Sequence, residues 1–299
     1  MSAAAAPARR VPRQAPRRGL VGAAWWQRPS ARSLAWRYLI AVAVTLFFLF
    51  PVYWLFAVSL KTPEEIFASP PVWLPADLQF GNFAVLFKDG DAYTVLNSLI
   101  VASVSTMVAM FFGTIAAYSL ARYRTGGEHL AIWFISQRMI PPIAIVFPIF
   151  LLYAMLGWVD SFHGLILLYI AFNLPYVVWM MRGYFEDVPI ELEESALIDG
   201  CTRWQALTKV VLPVARNGIF ATAVFAFIFA WNDYIFALVL TRSEVTTFTV
   251  QVMSYFGAQS TIWAKISAMS VLGTIPIFFA VATMQRYLVR GISLGAVKG

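Results

Sequence analysis

The residues able to do chemistry are few and scattered. The chain carries two histidines, His129 and His163, lying 34 positions apart, and one cysteine, Cys201. That inventory builds neither an intrachain disulfide nor a clustered metal site. No G-x-x-x-x-G-K-[ST] phosphate loop occurs, so the chain cannot itself be an ATPase, and no H-E-x-x-H occurs to suggest a metalloprotease. What stands out is two ionisable side chains inside long apolar runs, Arg138 and Asp233. Burying either in lipid costs at least about 2.5 kcal/mol on insertion scales. Together with Asn173 and Asn232 they are candidates for a polar translocation path or gate. The plainer alternative is interhelical pairing and hydrogen bonding, or Arg138 snorkelling to an interface.

The elements that must position these groups follow from composition. The chain has 299 residues, of which 60% are hydrophobic and only 12% charged, with a mean hydropathy of +0.72. An average soluble domain is about a quarter charged, so a soluble enzyme, a disordered regulator and a free DNA-binding protein are poor readings. Six charge-poor runs lie at 38–60, 92–121, 139–159, 161–181, 217–241 and 266–285, the fifth broken by Asp233 and the third preceded by Arg138. Each reaches the length of about 20 residues that a spanning helix needs. They are too long and continuous for barrel strands. The expected fold is all-α and polytopic, with six transmembrane helices.

Charge orients the chain. Eight arginines (Arg9, Arg10, Arg13, Arg17, Arg18, Arg28, Arg32 and Arg37) precede the first apolar run, and no acid precedes Glu64. The rest of the chain has 14 basic and 15 acidic residues. Residues 1–37 read as a disordered basic tail suited to anionic lipid, with an Arg-rich transit peptide as the rival reading. With six spans both termini share a side. That side, with the tail, the 122–129 and 182–216 loops and the C-terminus, holds 17 of the 22 Lys and Arg residues, against 4 on the other. Positive-inside bias makes both termini cytoplasmic. The division is then a cytoplasmic tail (1–37), a first span (38–60), a proline-rich extracytoplasmic loop (61–91), a core of five spans (92–288) containing the 182–216 loop, and a cytoplasmic tail (289–299).

The 182–216 loop is the most informative segment. Asp187 is expected to cap a helix with Pro189 near its first turn, with Glu191, Glu193 and Glu194 near the positive end of the dipole. Gly200 is a natural stop, and Thr202 with Gln205 makes a capping-box pattern for a second short helix limited by Pro213. The loop holds six acidic and four basic residues, which disfavours DNA. A solvated linker and a protein-docking element remain. Ala196, Leu197 and Ile198 are apolar beside the acids, as a docking face would be.

Here the chain resembles a known family. Glu194-Ser195-Ala196, three residues, Gly200, nine residues and Val210-x-Leu212-Pro213 match the spacing of the EAA loop of ABC importer permeases. Ser195 stands for the second-position alanine and Val210 for isoleucine. The segments Ser136–Pro142, Trp231–Asp233 and 287–299 are similar to the carbohydrate-importer subgroup that includes the smaller permease of the maltose transporter. The resemblance covers about residues 38–299.

It implies a type I permease architecture in a bacterial inner (plasma) membrane, multi-pass, moving a sugar or related polyol inward by alternating access. It also implies the partners: a second permease, two copies of an ABC ATPase subunit and an extracytoplasmic solute-binding protein. ATP and Mg would sit on the ATPase, and this chain would hold no cofactor or metal and have no catalytic residue. Glu194, Ser195, Ala196, Gly200, Leu212 and Pro213 would couple to the ATPase, and Gly295, Val297, Lys298 and Gly299 would contact it. The rival within transport is a secondary transporter or channel using Asp233 and Arg138 as ion sites, which leaves the loop unexplained. A membrane-embedded enzyme lacks a catalytic cluster.

Overall fold

The computed structural model describes residues 31–256 and 262–295. Its helices are α1 (Ala31–Ser59), α2 (Pro63–Ile66), α3 (Gly81–Lys88), α4 (Tyr93–Tyr123), α5 (Gly127–Gln137), α6 (Pro142–Leu156), α7 (Phe162–Glu186), α8 (Ile190–Ile198), α9 (Arg203–Ala206), α10 (Leu212–Val214), α11 (Arg216–Trp231), α12 (Ile235–Leu240), α13 (Phe248–Ser254) and α14 (Trp263–Gly295). A π-helical turn, Leu207–Val211, joins α9 to α10. Strands are absent among the described residues. Four helices are long and apolar enough to cross a membrane, and two bent pairs raise the number to as many as six.

The chain forms two units, 1–52 and 53–299. Within the first, the described part of α1 exposes Leu39, Leu46, Phe47 and Phe48, a surface fit for lipid. The helix starts at Ala31, so residues 31–37 are not part of a disordered tail. Alanine and leucine at 31, 34 and 35 let the apolar helix extend outward, with Arg32 and Arg37 on its first turns. Residues 1–30 lie outside the described part.

In the second unit α4 and α7 pack along most of their length. Ser105, Ala109, Gly113 and Ala117 are buried at every fourth position of α4, a stripe of small residues that lets two membrane helices approach. A Cβ on Gly113 would come within 2.6 Å of Val177 Cγ1. Around this pair are three apolar clusters. One joins Val101, Tyr153, Tyr169, Trp231 and Phe236, a second Tyr118, Phe185, Val188, Leu207 and Val211, and a third Leu86, Tyr255 and Met269.

Two apolar runs are not single helices. The third breaks between α5 and α6, which meet at 84°. Pro141 is extended (φ −60°, ψ 130°) and Pro142 opens α6. Consecutive prolines remove two backbone donors, and Pro142 bars its predecessor from the helical region. The fifth breaks at 232–234, between α11 and α12. By contrast Pro51, Pro148, Pro175 and Pro276 lie inside helices. At its end α14 continues to Gly295, so residues 289–295 of the C-terminal tail are helical. An ongoing helix supplies the turn that a short segment cannot nucleate alone.

Candidate functional site

The first site is the segment from α8 to α10. Gly200 has φ +90°. Its N–H donates to Leu197 O at 3.1 Å and the Cys201 N–H donates to Ala196 O at 3.0 Å, the paired bonds of a Schellman stop, which a glycine in the left-handed region permits. Thr202 then caps α9 as expected. Its side chain accepts from Gln205 N, and Gln205 Oε1 accepts from Thr202 N at 2.9 Å. Asp187 is not the cap of α8. It is the C-cap of α7, its N–H donating to Gly183 O at 3.2 Å, and Pro189 occupies the N-cap of α8. The proline biases Val188 away from helix, which puts the break after Asp187.

The segment is clamped from one side and bare on the other. Glu193 is buried, with Arg122 Nε donating to its Oε2 at 2.8 Å and the Tyr118 hydroxyl donating to its Oε1. Arg122 also donates to Val188 O at 2.9 Å. Three positions on, Ala196 is buried on the same face. Glu194, Ser195, Leu197 and Ile198 are exposed, Ile198 at 86%, and Trp204 is exposed nearby. Ser195 donates to Glu191 O at 2.7 Å within its own helix. Leu212 and Pro213 begin α10, half-buried and exposed. Charge and apolar surface thus lie together on a rigidly mounted helix–turn–helix.

The second site is a half-open cavity of about 270 Å3 at the two helix breaks, and it brings together Arg138, Asn173, Asn232 and Asp233. Both helix breaks open onto it. Arg138 is the C-cap of α5 and Asn232 that of α11. Broken backbone at membrane depth is tolerated where it is buried in protein or lines a water-filled cavity. Arg138 Nη1 donates to Phe172 O at 2.9 Å and Asn173 Oδ1 at 3.3 Å. Its guanidinium lies 4.3 Å from the Phe229 ring centroid and 4.9 Å from that of Phe172. Asp233 Oδ2 accepts from the Tyr169 hydroxyl at 2.7 Å and from Ala237 N at 3.2 Å. Asn173 Nδ2 donates to Ala226 O and Asn232 Nδ2 to Ile228 O. Among the described residues neither Arg138 nor Asp233 is in an ion pair.

Two further devices escaped the sequence reading. Asp160, in the turn between α6 and α7 with φ +57°, accepts from the backbone N–H groups of Arg242, Ser243, Glu244 and Val245 at 2.8–3.1 Å. Burial pushes its carboxyl up, but these four amides outweigh that and hold it below the usual carboxylate value. Lys265 bridges Asp89 at 2.8 Å and Asp91 at 2.6 Å, while Asp91 also accepts from Gln251 and Tyr255. No local pattern marks either, since the partners are over 80 positions away.

The described residues thus form a bundle with four to six membrane-length helices, a cavity at two helix breaks and an exposed helix–turn–helix. Residues 109–294 match the family described as binding-protein-dependent transport system inner membrane component, and the chain belongs to that family. It is therefore an ABC importer permease of type I architecture, a transporter subunit and not an enzyme, and such permeases work with ATPase and substrate-binding partners. The chain is 34% identical over 267 residues to the diacetylchitobiose uptake system permease DasC of Streptomyces coelicolor, covering 88% of this chain and 97% of the relative. It is 34% identical over 274 residues to the trehalose transport system permease SugB of Mycobacterium tuberculosis, covering 90% and 98%. A crystal structure of a bacterial ABC transporter involved in import of the acidic polysaccharide alginate shares the fold, with a TM-score of 0.70 at 23% identity over 86% of this chain and 98% of the other. Family membership sets aside the secondary-transporter and channel reading.

Proposed function

We propose that this permease moves a sugar or related polyol inward by alternating access in a bacterial inner membrane, with both termini cytoplasmic. The observation that carries the reading is the α8–α10 segment, held by Glu193 and presenting Glu194, Ile198 and Trp204 outward. Its partners would be a second permease, two ATPase copies holding ATP and Mg, and an extracytoplasmic solute-binding protein. The sugar assignment draws on the diacetylchitobiose and trehalose systems to which DasC and SugB belong. Glu194, Ser195, Ala196, Gly200, Leu212 and Pro213 would enter a cleft on the ATPase, and Arg138, Asn173, Asn232 and Asp233 would line the path or gate. Gly295 ends α14; Val297, Lys298 and Gly299 lie outside the described residues. We assign these four to ATPase contact, so deleting 293–299 is expected to weaken co-purification with the ATPase while leaving the protein in the membrane.

The test is sugar uptake by proteoliposomes holding this chain with its companion subunits. Glu194→Lys should abolish uptake and ligand-stimulated ATP hydrolysis while membrane insertion survives. Normal uptake and coupling in that variant would defeat the assignment of this surface.

A further inference from the structure

The two sides of α4 are built differently. One packs on α7 through Ser105, Ala109, Gly113 and Ala117, the small residues with which membrane helices approach each other. The other presents Met107, Phe111 and Ile115, all exposed. These form one wall of an open groove of about 470 Å3, and Trp204, Leu212 and Ile219 stand on the other. From 107 to 115 the groove follows α4 for about 12 Å. Among the described residues no ionisable side chain lines it. Cations gather at one end instead. Arg203, next to Trp204 in α9, lies 5.0 Å over the ring of Tyr123, where α4 ends. Arg216 opens α11 three residues before Ile219, on the same helix face. Both arginines are exposed, and among the described residues neither is in an ion pair.

We propose that this groove holds one acyl chain of an anionic phospholipid, with the phosphate at Arg203 and Arg216. The inference rests on the membrane-spanning reading of the fold and is independent of the solute carried. Size favours a lipid chain over a protein helix. The space equals that of roughly sixteen liquid waters, whereas a helix with its side chains is about 10–12 Å across. Wall chemistry points the same way, because a docked membrane helix calls for small residues and this wall carries large ones. Met107 is unbranched and adapts to an irregular neighbour. Charge then selects the headgroup. The planar fork of an arginine grips phosphate, and basic residues between spanning helices suit anionic headgroups. Trp204 stands at the same end of the groove, at the level between tail and headgroup that an indole favours. The orientation proposed above puts this lipid in the cytoplasmic leaflet. Seated there it touches α4, α9 and α11 at once, and so braces the segment proposed to meet the ATPase.

The test uses the complex of this chain with its companion permease and ATPase, in nanodiscs of phosphatidylcholine. A small fraction of that lipid is replaced by phosphatidylglycerol or phosphatidylcholine carrying brominated acyl chains, which quench tryptophan on contact. The emission of Trp204 is read as the difference between the complex and its Trp204→Phe variant. Brominated phosphatidylglycerol should quench it several-fold more strongly than brominated phosphatidylcholine at the same fraction. Arg203→Gln and Arg216→Gln, both surface changes, should each cut that preference by up to about fivefold, the effect of one cation near the membrane surface. Ala223→Phe, which fills the groove, should reduce quenching by either lipid, and unchanged quenching there overturns the proposal. Equal quenching by the two lipids overturns it as well, leaving only general contact with the bilayer. Absence of quenching by both does the same, because a companion helix then covers the groove. So does a preference that survives both arginine substitutions together. A complex that shows the preference but imports no saccharide defeats the importer reading and leaves the lipid site standing.

Discussion

The clamp on the α8–α10 segment and the cavity at the two helix breaks each hold an arginine and an acid, and they use them in opposite ways. Arg122 and Glu193 meet at 2.8 Å with side chains only 7% exposed, closed further by Tyr118 and the Val188 carbonyl. Arg138 and Asp233 share a cavity and stay apart. Arg122 and Glu193 neutralise each other, and their pairing holds α8 against α4. An unpaired charge at membrane depth carries a cost that the packing around it must offset. Mere presence of a charge in an apolar chain therefore does not reveal its role; whether an opposite charge is among its partners separates the two places.

The strongest way to break the comparison is to unpair Glu193 from Arg122. Glu193→Ala leaves Arg122 buried without its carboxylate, and loss of one partner of a buried pair costs about 3–5 kcal/mol. Thermal unfolding in detergent should fall sharply, and Glu193→Leu combined with Arg122→Met should recover much of the loss. If the double variant is as unstable as the single, the pair is not an anchor of the kind described.

Next in size is Asp160. A hydrogen bond to a charged group contributes about 1.5–3 kcal/mol net; this carboxylate receives four, in a half-buried turn where water can replace much of what is lost. Asp160→Ala should lower stability by about 2 kcal/mol. Its carboxyl is held below 3.8, so the charged form is bound more tightly in the folded state. The stabilisation is complete above the unfolded value of about 3.9 and disappears as pH falls through the lower folded value. The melting difference between wild type and Asp160→Asn should thus be constant from pH 8 to about pH 5 and narrow only below about pH 4. A difference that fades near neutrality would contradict this.

Smallest in stability is Gly200→Ala. A Cβ would meet nothing within 4 Å, but the φ of +90° remains, and the strain is roughly 1–2 kcal/mol. Uptake should drop far more than stability, because the turn sets the angle of the face proposed to meet the ATPase. Equal, modest losses in both would reduce the glycine to a helix stop.

The frame of the fold was legible because it is written in local patterns. Long charge-free runs give spanning helices, Gly200 gives the turn, Thr202 and Gln205 give the box, and the polar residues in the third and fifth runs mark the cavity. What was not legible depends on distant partners or on competition between neighbours. Asp187 has the right chemistry for an N-cap, yet Pro189 two residues on decides the break. Glu193 and Glu194 look alike in sequence, and only their phase relative to Ala196 and the arrival of Arg122 separate anchor from exposed surface. Asp160 reads as an ordinary turn residue because its four donors lie on the far side of α7 and α11. Pro141 and Pro142 forbid a continuous helix locally, whereas the 84° between α5 and α6 depends on the packing around them.

One measurement bears most directly on the division between charges that build and charges that work. Glu193→Gln and Asp233→Asn should be placed separately in the complete reconstituted complex, and thermal stability and sugar uptake recorded on the same preparations. The account predicts that Glu193→Gln lowers the melting temperature, with uptake failing in step with the folded fraction. Asp233→Asn should melt close to wild type, within about 1 kcal/mol because an acceptor for Tyr169 survives, and lose most of its uptake. An Asp233→Asn complex that transports normally, or loses stability as heavily as Glu193→Gln, would contradict it.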